Sequence, residues 1–396
     1  MHSTLPAVSE TGARLIRSAR GWWFLGGGGC ALLRPEQVTP EGVPRPSAER
    51  YLRKAGLYTA PPYRVYALTV LTSTDCNLGC DYCFQNTGQD PAGGSRPPRI
   101  RHARLTSETI GAVLDFTRRR MADADLDRLS LLLFGGEPLL NPRGARELLA
   151  RAADLGLAGA AMTSNATLLT PLIAKELNAA GLGSVQVTFD GDREEHDRIR
   201  VRRSGGGTFD RITANLARAT EATTLRWQLR VNVSHRSRPG MDELVDRLAE
   251  RLDPTRCSLY FAMVGDVGVG YRNDLLHNGT LAADFTRWYA AALDRGFSVP
   301  RPSAHTPCQS CSFRDGRYGA VISADGTLSS CWDTAGRPEW QVGTLDDGYL
   351  PDEQAEGRWV SCGDLYRQSE EAAALTAFQD QVDAALLDRL NAAGRL

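Results

Sequence analysis

The stretch Val65-Tyr66-Ala67-Leu68-Thr69-Val70-Leu71-Thr72-Ser73-Thr74-Asp75-Cys76-Asn77-Leu78-Gly79-Cys80-Asp81-Tyr82-Cys83-Phe84 decides how this chain is read. Its first part, Val65–Thr72, is a candidate buried strand. Its second part puts three cysteines, at spacings of four and three, on one tight loop. Iron–sulfur clusters are held by Cys thiolates and four ligands are the rule, so three leave one iron of a cubane open to a small molecule. Zinc prefers four protein ligands, and disulfides belong to oxidising compartments and small secreted scaffolds. Neither matches three close cysteines in a chain of 396 residues.

From this strand the pattern continues as a βα repeat. Further strands are expected at Leu129–Phe134, Ala158–Thr163, Ser184–Phe189, Leu225–Val233 and Cys257–Met263. Helical periodicity lies between them at Ser107–Arg120, Arg143–Leu155, Pro171–Ala180, Phe209–Glu221 and Met241–Leu252. Six strands alternating with helices imply an α/β fold with a parallel sheet and right-handed crossovers. Ligands in such sheets bind beyond the C-terminal ends of the strands, where the cysteine loop sits.

Residues 65–270 are therefore read as the core. Residues 1–64 form an appendage, with a hairpin from Trp22–Leu25 and Ala31–Leu33 and a helix over Ser47–Leu57 capped by Ser47. Residues 271–307 are a linker carrying a helix at Leu281–Leu293. Residues 308–396 hold a second cysteine group and a terminal helical region.

Composition excludes several classes. Hydrophobic residues at 42% and charged residues at 23% are those of a globular chain, and a net charge of −1 supplies no basic field for nucleic acid. No apolar run reaches the length of a membrane span, and Trp22–Leu25 is too short for a secretory signal. Nine cysteines without such a signal favour metal sites over disulfides in a cytoplasmic protein.

Gly135-Gly136-Glu137-Pro138 follows the second strand of the core. The glycines would let backbone approach a ligand closely, and Glu137 would accept from an ammonium. Taken with Cys76, Cys80 and Cys83, this turn resembles the radical S-adenosylmethionine (radical SAM) enzymes over about residues 65–265. The resemblance implies a partial (β/α)6 TIM-like barrel. It implies a [4Fe–4S] cluster on the three cysteines, with S-adenosylmethionine on the open iron, cleaved to a 5′-deoxyadenosyl radical. By the same resemblance Tyr82 lies near the adenine, Gly135, Gly136, Glu137 and Pro138 meet the amino group, and Ser164 and Asn165 contact the ribose or carboxylate. Asp190 belongs to a ribose-contacting turn, and Asn232 is a further cofactor contact. Arg200, in His196-Asp197-x-x-Arg200, is either a carboxylate contact or a structural ion pair. Asn165-Ala166 stands where many relatives read Asn-Gly.

Cys308-x2-Cys311, Asp325-Gly326 and Cys331 resemble the opening of the SPASM/twitch extension, which binds auxiliary iron–sulfur clusters. A hairpin at Asp325-Gly326 would bring Cys311 and Cys331 together. With Cys362 as last ligand, the resemblance implies one auxiliary cluster, of either the [4Fe–4S] or the [2Fe–2S] type; a structural zinc site on the same thiolates is the alternative. Cys257 opens the sixth strand and would serve as a hydrogen-atom donor if it faced the barrel, as in peptide epimerases.

Enzymes with this extension largely modify peptides. The expected function is hydrogen abstraction from a ribosomally made precursor peptide to form a C–C or C–heteroatom crosslink, with the auxiliary cluster accepting an electron. A twitch-type dehydrogenase of a small molecule, a sulfatase-maturase-like enzyme forming formylglycine and a peptide epimerase are the alternatives. Expected partners are the precursor peptide, a reductant such as flavodoxin or ferredoxin, and a leader-recognition element that is either residues 1–64 or a separate protein.

Overall fold

The computed structural model describes residues 12–59, 62–83, 85, 100–265, 273–304, 311–359 and 372–396. Three strands come first: β1 (Arg14–Ser18), β2 (Gly21–Gly26) and β3 (Gly29–Leu33). They form an antiparallel meander. Alternation gives this small sheet two apolar faces. Phe24 and Leu33 pack on α1 (Pro46–Lys54) through Leu52. Ile16, Trp23 and Leu25 pack on α10 (Ala372–Ala392) through Ala384 and Leu387. Trp23 Nε1 donates to Asp388 there at 2.8 Å, and Arg14 bridges Asp380 and Asp383. Helix α1 begins at Pro46 with Arg45 as its N-cap, so the expected Ser47 cap is corrected. Proline at the first helical position has its φ preset and needs no N–H partner there.

Six parallel strands form the centre in chain order: β4 (Tyr66–Ser73), β5 (Leu129–Gly135), β6 (Leu157–Thr163), β7 (Ser184–Phe189), β8 (Arg226–Val233) and β9 (Cys257–Met263). Their connections carry α2 (Ser107–Asp123), α3 (Pro142–Ala152), α4 (Pro171–Ala179), α5 (Arg193–Ile199), α6 (Phe209–Ala222) and α7 (Met241–Arg251), and α8 (Gly279–Asp294) follows β9. Strand alternation sorts the side chains. Val185, Val187, Trp227, Leu229, Leu259 and Phe261 lie in one core with helix residues such as Ile212, Leu244 and Trp288. The residues between them, including Gln186, Thr188, Arg230 and Tyr260, are half-exposed on the opposite, concave face.

The C-terminal region joins this sheet. Strand β10 (Gly319–Ile322) pairs parallel with β4, then β11 (Thr327–Ser329), β12 (Gln341–Thr344) and β13 (Gly348–Tyr349) add antiparallel, which makes ten strands. Val321 and Ala335 cover Leu71 and Phe134 on the inner side of β4 and β5. The expected hairpin at Asp325-Gly326 is the β10–β11 turn, with Gly326 at φ +86°. The short helix α9 (Asp352–Ala355) follows. Among the described residues no helix is long and apolar enough to cross a membrane.

Candidate functional site

The cysteine loop leaves the C-terminal end of β4 and is clamped to the turn after β5. Gly136 N–H donates to Ser73 O at 3.0 Å, and Glu137 N–H donates to Asp75 O at 2.7 Å. Gly135 sits at φ +132°, and a Cβ there would stand 2.2 Å from Ser73 O; one on Gly136 would stand 2.3 Å from Asp75 O. Both glycines are thus required by the approach of the cysteine loop itself.

Glu137 is fully buried, and burial pushes its carboxyl up from the ordinary range. Its Oε1 accepts from Leu139 N–H at 2.9 Å and Ser164 Oγ at 2.7 Å, and Oε2 accepts from Asn165 N–H at 2.7 Å. The carboxylate expected to meet an ammonium ties the β5 turn to the β6 turn. Asn165 in turn donates through Nδ2 to Asn77 Oδ1 at 2.9 Å and to Cys76 Sγ at 3.7 Å. Ala166 takes the left-handed conformation at φ +56°, which a glycine would adopt without a Cβ penalty.

A second polar group crosses the barrel mouth. Tyr82, from the cysteine loop, donates its hydroxyl to Asp190 Oδ2 at 2.9 Å. Arg200 Nη1 donates to the Tyr82 oxygen at 2.7 Å and to Asp190 Oδ2 at 3.2 Å. Asn232 Nδ2 donates to Asp190 Oδ1 at 2.9 Å and to the Tyr82 oxygen at 3.0 Å. Arg200 is therefore at least a buried ion pair. Its Nε is buried without a hydrogen-bond partner, a donor left for an incoming acceptor.

His196 and Asp197 hold this arrangement from behind. Asp190 N–H donates to His196 Nδ1 at 3.3 Å, and His196 Nε2 faces Thr208 Oγ1 at 3.1 Å. Because Thr208 Oγ1 donates to Arg200 O, it accepts from His196, which fixes the Nε2–H tautomer. Burial, then the Arg200 charge, hold the imidazole well below its usual pKa. Asp197 Oδ1 accepts from Thr208 and Phe209 N–H and so anchors the start of α6.

Cys76, Cys80 and Cys83 are free and partly exposed. Burial pushes the Cys76 thiol up to about 12 and raises Cys80, with neighbouring cysteines adding to both and Arg200 opposing. Among the described residues no three Cys, His, Asp or Glu side chains converge on a single metal ion. This donor set and the orphaned Arg200 Nε fit a cluster with a carboxylate-bearing ligand.

Residues 70–231 match the family model for the Radical SAM superfamily. This segment is a Radical SAM superfamily domain. AdoMet-dependent heme synthase of Methanosarcina barkeri is 30% identical over 188 residues, 47% of each chain. The chain spans about half or less of the length of the first curated relatives it matches. Native anSMEcpe with bound AdoMet has a similar fold, at TM-score 0.60 and 16% identity, over 83% of this chain and 100% of that one. Streptococcus suis SuiB bound to precursor peptide SuiA aligns at TM-score 0.50 and 13% identity, over 92% and 93% of the two chains. At these identities the structures speak for the fold.

One end of the sheet carries Cys76, Cys80, Cys83, Tyr82, Gly135–Pro138, Ser164, Asn165, Asp190, Arg200 and Asn232, all but Asn232 within the matched segment. Cys257 is not there. It is 1% exposed in the helix-side core, and burial pushes its thiol up to about 12. Strand alternation gives it the parity of Leu259 and Phe261, so the expected hydrogen donor is corrected to a packing residue. Cys311 and Cys331 are half-buried, while Cys308 and Cys362 lie outside the described residues. Reading by sequence singled out His196 and Asp197 only as a family motif; the hydrogen bonds that make them supports join residues far apart in the chain. Arg230 and Tyr260 were missed, though their parity with Asn232 and Ala262 on β8 and β9 was legible.

Proposed function

We propose that this chain is a radical SAM enzyme that modifies a ribosomally made precursor peptide, closing an intramolecular carbon–carbon or carbon–heteroatom crosslink. One observation carries the radical half: three free thiols on the loop after β4, which is locked to Gly135–Pro138 and joined to Arg200 through Tyr82. When bound, the cluster with S-adenosylmethionine supplies hydrogen-atom abstraction from the substrate. The protein's residues bind and orient. Cys76, Cys80 and Cys83 would ligate the cluster, and the Gly135–Pro138 turn would hold the amino group. Arg200 Nε would donate to the cofactor's carboxylate, and the Tyr82–Asp190–Asn232 group would fix the pocket floor.

The peptide half is supported by the second cysteine group and by the fold shared with anSMEcpe, also solved with AdoMet and the Cp18Cys peptide, and with SuiB. In crosslinking, the substrate loses one hydrogen atom to the cofactor-derived radical. It then forms the new bond while losing one proton to a base or solvent and one electron. Cys308, Cys311, Cys331 and Cys362 would hold the auxiliary cluster that takes this electron, and a flavodoxin or ferredoxin would supply the first. Residues 1–64 or a separate protein would hold the leader segment.

Arg230 adds a substrate feature. It is half-buried on the concave face, its Nε donates to Asn232 Oδ1 at 2.9 Å, and no described carboxylate forms an ion pair with it. A substrate carboxylate would complete it. This feature also suits a small acidic substrate, and relatives named heme synthase and GTP 3′,8-cyclase keep a small-molecule dehydrogenase as the second reading.

The test is anaerobic reconstitution with iron and sulfide, followed by co-expression with any short peptide encoded beside the gene. Dithionite-dependent 5′-deoxyadenosine from S-adenosylmethionine is expected, with loss of two hydrogens from the peptide by mass spectrometry. Failure to form 5′-deoxyadenosine refutes the radical reading. Its formation with an unaltered peptide mass refutes crosslinking and leaves peptide epimerisation, read by chiral analysis of the hydrolysed peptide, or the small-molecule reading.

A further inference from the structure

We infer that Asn165 is a positioning residue for Cys76, whose side-chain amide donates a hydrogen bond to the thiolate sulfur and raises the reduction potential of a cluster held there. This rests on the reading that Cys76 ligates a cluster, and it gives Asn165 a different role from the cofactor contact expected from its place after β6.

The hydrogen bonds leave the amide one orientation. Asn165 Oδ1 accepts from Thr167 N–H at 3.0 Å and from Thr167 Oγ1 at 2.6 Å. The first is an Asx turn, and it is closed around Ala166 at φ +56°. Thr167 Oγ1 has then used its proton, so it accepts from Asn77 Nδ2, at 2.8 Å. That leaves Asn77 Oδ1 as an acceptor, and Asn165 Nδ2 donates to it at 2.9 Å. Each donor and acceptor in this ring has one consistent role, so a flipped Asn165 amide would face acceptors with an acceptor. The second Nδ2 proton is directed at Cys76 Sγ, 3.7 Å away, a distance suited to the larger sulfur atom. Asn165 is 5% exposed and Thr167 1%, so water competes little for these groups.

Reduction puts negative charge on the cluster and its thiolates. Hydrogen bonds to the sulfurs stabilise that state and raise the potential. Leu78 N–H, 3.4 Å from Cys76 Sγ, is a second donor, supplied by the loop itself. Asn165 is the donor supplied from another strand, and Glu137, through its bond to Asn165 N–H, holds it in place.

The experiment is a redox titration of the reconstituted protein followed by electron paramagnetic resonance, on the wild type and on Asn165→Ala, Asn165→Asp and Asn77→Ala. With wild-type iron content, the two Asn165 variants should titrate at more negative potential. The reduced-to-oxidised ratio at the wild-type midpoint should fall about tenfold, the worth of a hydrogen bond to a charged group. The carboxylate introduced by Asn165→Asp would add repulsion and shift the potential further, and Asn77→Ala should shift it less than either. Unchanged potentials in both Asn165 variants overturn the inference. Should those variants take up no iron, [15N]asparagine labelling of the Asn77→Ala protein decides by pulsed resonance. Nitrogen coupling to the reduced cluster supports the assignment, and its absence overturns it. A wild type that binds no iron instead refutes the cluster reading beneath it.

Discussion

The hydroxyl of Tyr82 donates to Asp190 Oδ2 at 2.9 Å, joining the cysteine loop to the end of β7 across 108 residues of chain. Around that bond, Arg200 and Asn232 each donate to both partners, and all of Asp190, Arg200 and Asn232 are buried. Removing one member leaves the others desolvated and underpaired. Tyr82→Phe should cost about 1–3 kcal/mol. Asp190→Asn should cost more, about 3–5 kcal/mol, because it strands the Arg200 guanidinium without its counter-charge. Denaturant unfolding measures both, and a Tyr82→Phe loss at least as large as that of Asp190→Asn would contradict the ordering.

Ala166 sits fully buried at φ +56°. Replacing it with glycine relieves about 1 kcal/mol of left-handed strain. The change also loses about 0.8 kcal/mol of methyl burial and up to about 1 kcal/mol to unfolded-state entropy. These terms offset, so Ala166→Gly should stay within about 1 kcal/mol of the wild type. Ala166→Val has no such balance, since a β-branched residue is a true outlier at positive φ, and it should lower the melting temperature clearly. A strongly destabilised glycine variant would show that the methyl does more than fill space.

Local pattern carried the barrel into view. The bounds expected for Ser184–Phe189 and Cys257–Met263 are those observed, since apolar alternation and flanking turns define such strands locally. Strand β1 was missed because Arg14–Ser18 holds two arginines in five residues and is strand-like only against β2. Helix α5 was missed because Arg193–Ile199 is short and highly charged; its start is set by Asp192 Oδ1 accepting from Glu195 N–H at 2.9 Å. Within the site, residue types were readable from the cysteine spacing and the Gly-Gly-Glu-Pro turn. Their partners were not. Asn232 and Tyr82 meet over 150 residues, and a bond between distant polar groups leaves no periodic trace in either segment.

Cys257 lies among core residues, so its removal should act on stability alone. Cys257→Ala should cost about 1–2 kcal/mol through a small cavity. It should leave the yield of 5′-deoxyadenosine and any peptide product unchanged. Liquid chromatography of the reaction, set beside thermal unfolding, separates the two effects. Loss of product at unchanged stability would return Cys257 to the reaction.

His196 makes folding sensitive to mild acid. Its native pKa is held well below 6.5 by burial and then by Arg200, while the unfolded chain's imidazole titrates near 6.5. Below pH 6.5 the unfolded state therefore binds the extra proton, so stability falls as pH drops and is fully present above that pH. The slope approaches about 1.4 kcal/mol per pH unit for one proton. Ordinary carboxylates remain ionised between about pH 5 and 6.5, but Glu137 and Asp81, whose carboxyls burial raises, act with the opposite sign, so the difference from the His196→Gln variant isolates this contribution. The other described histidines, His102, His235 and His277, are exposed or half-exposed, whereas His196 is fully buried. His196→Gln cannot take the proton, so its stability should be lower than wild type at pH 7.5, and its pH dependence flatter across that window. Urea midpoints at several pH values check this, and a variant with the wild-type slope would show that another group carries the acid sensitivity.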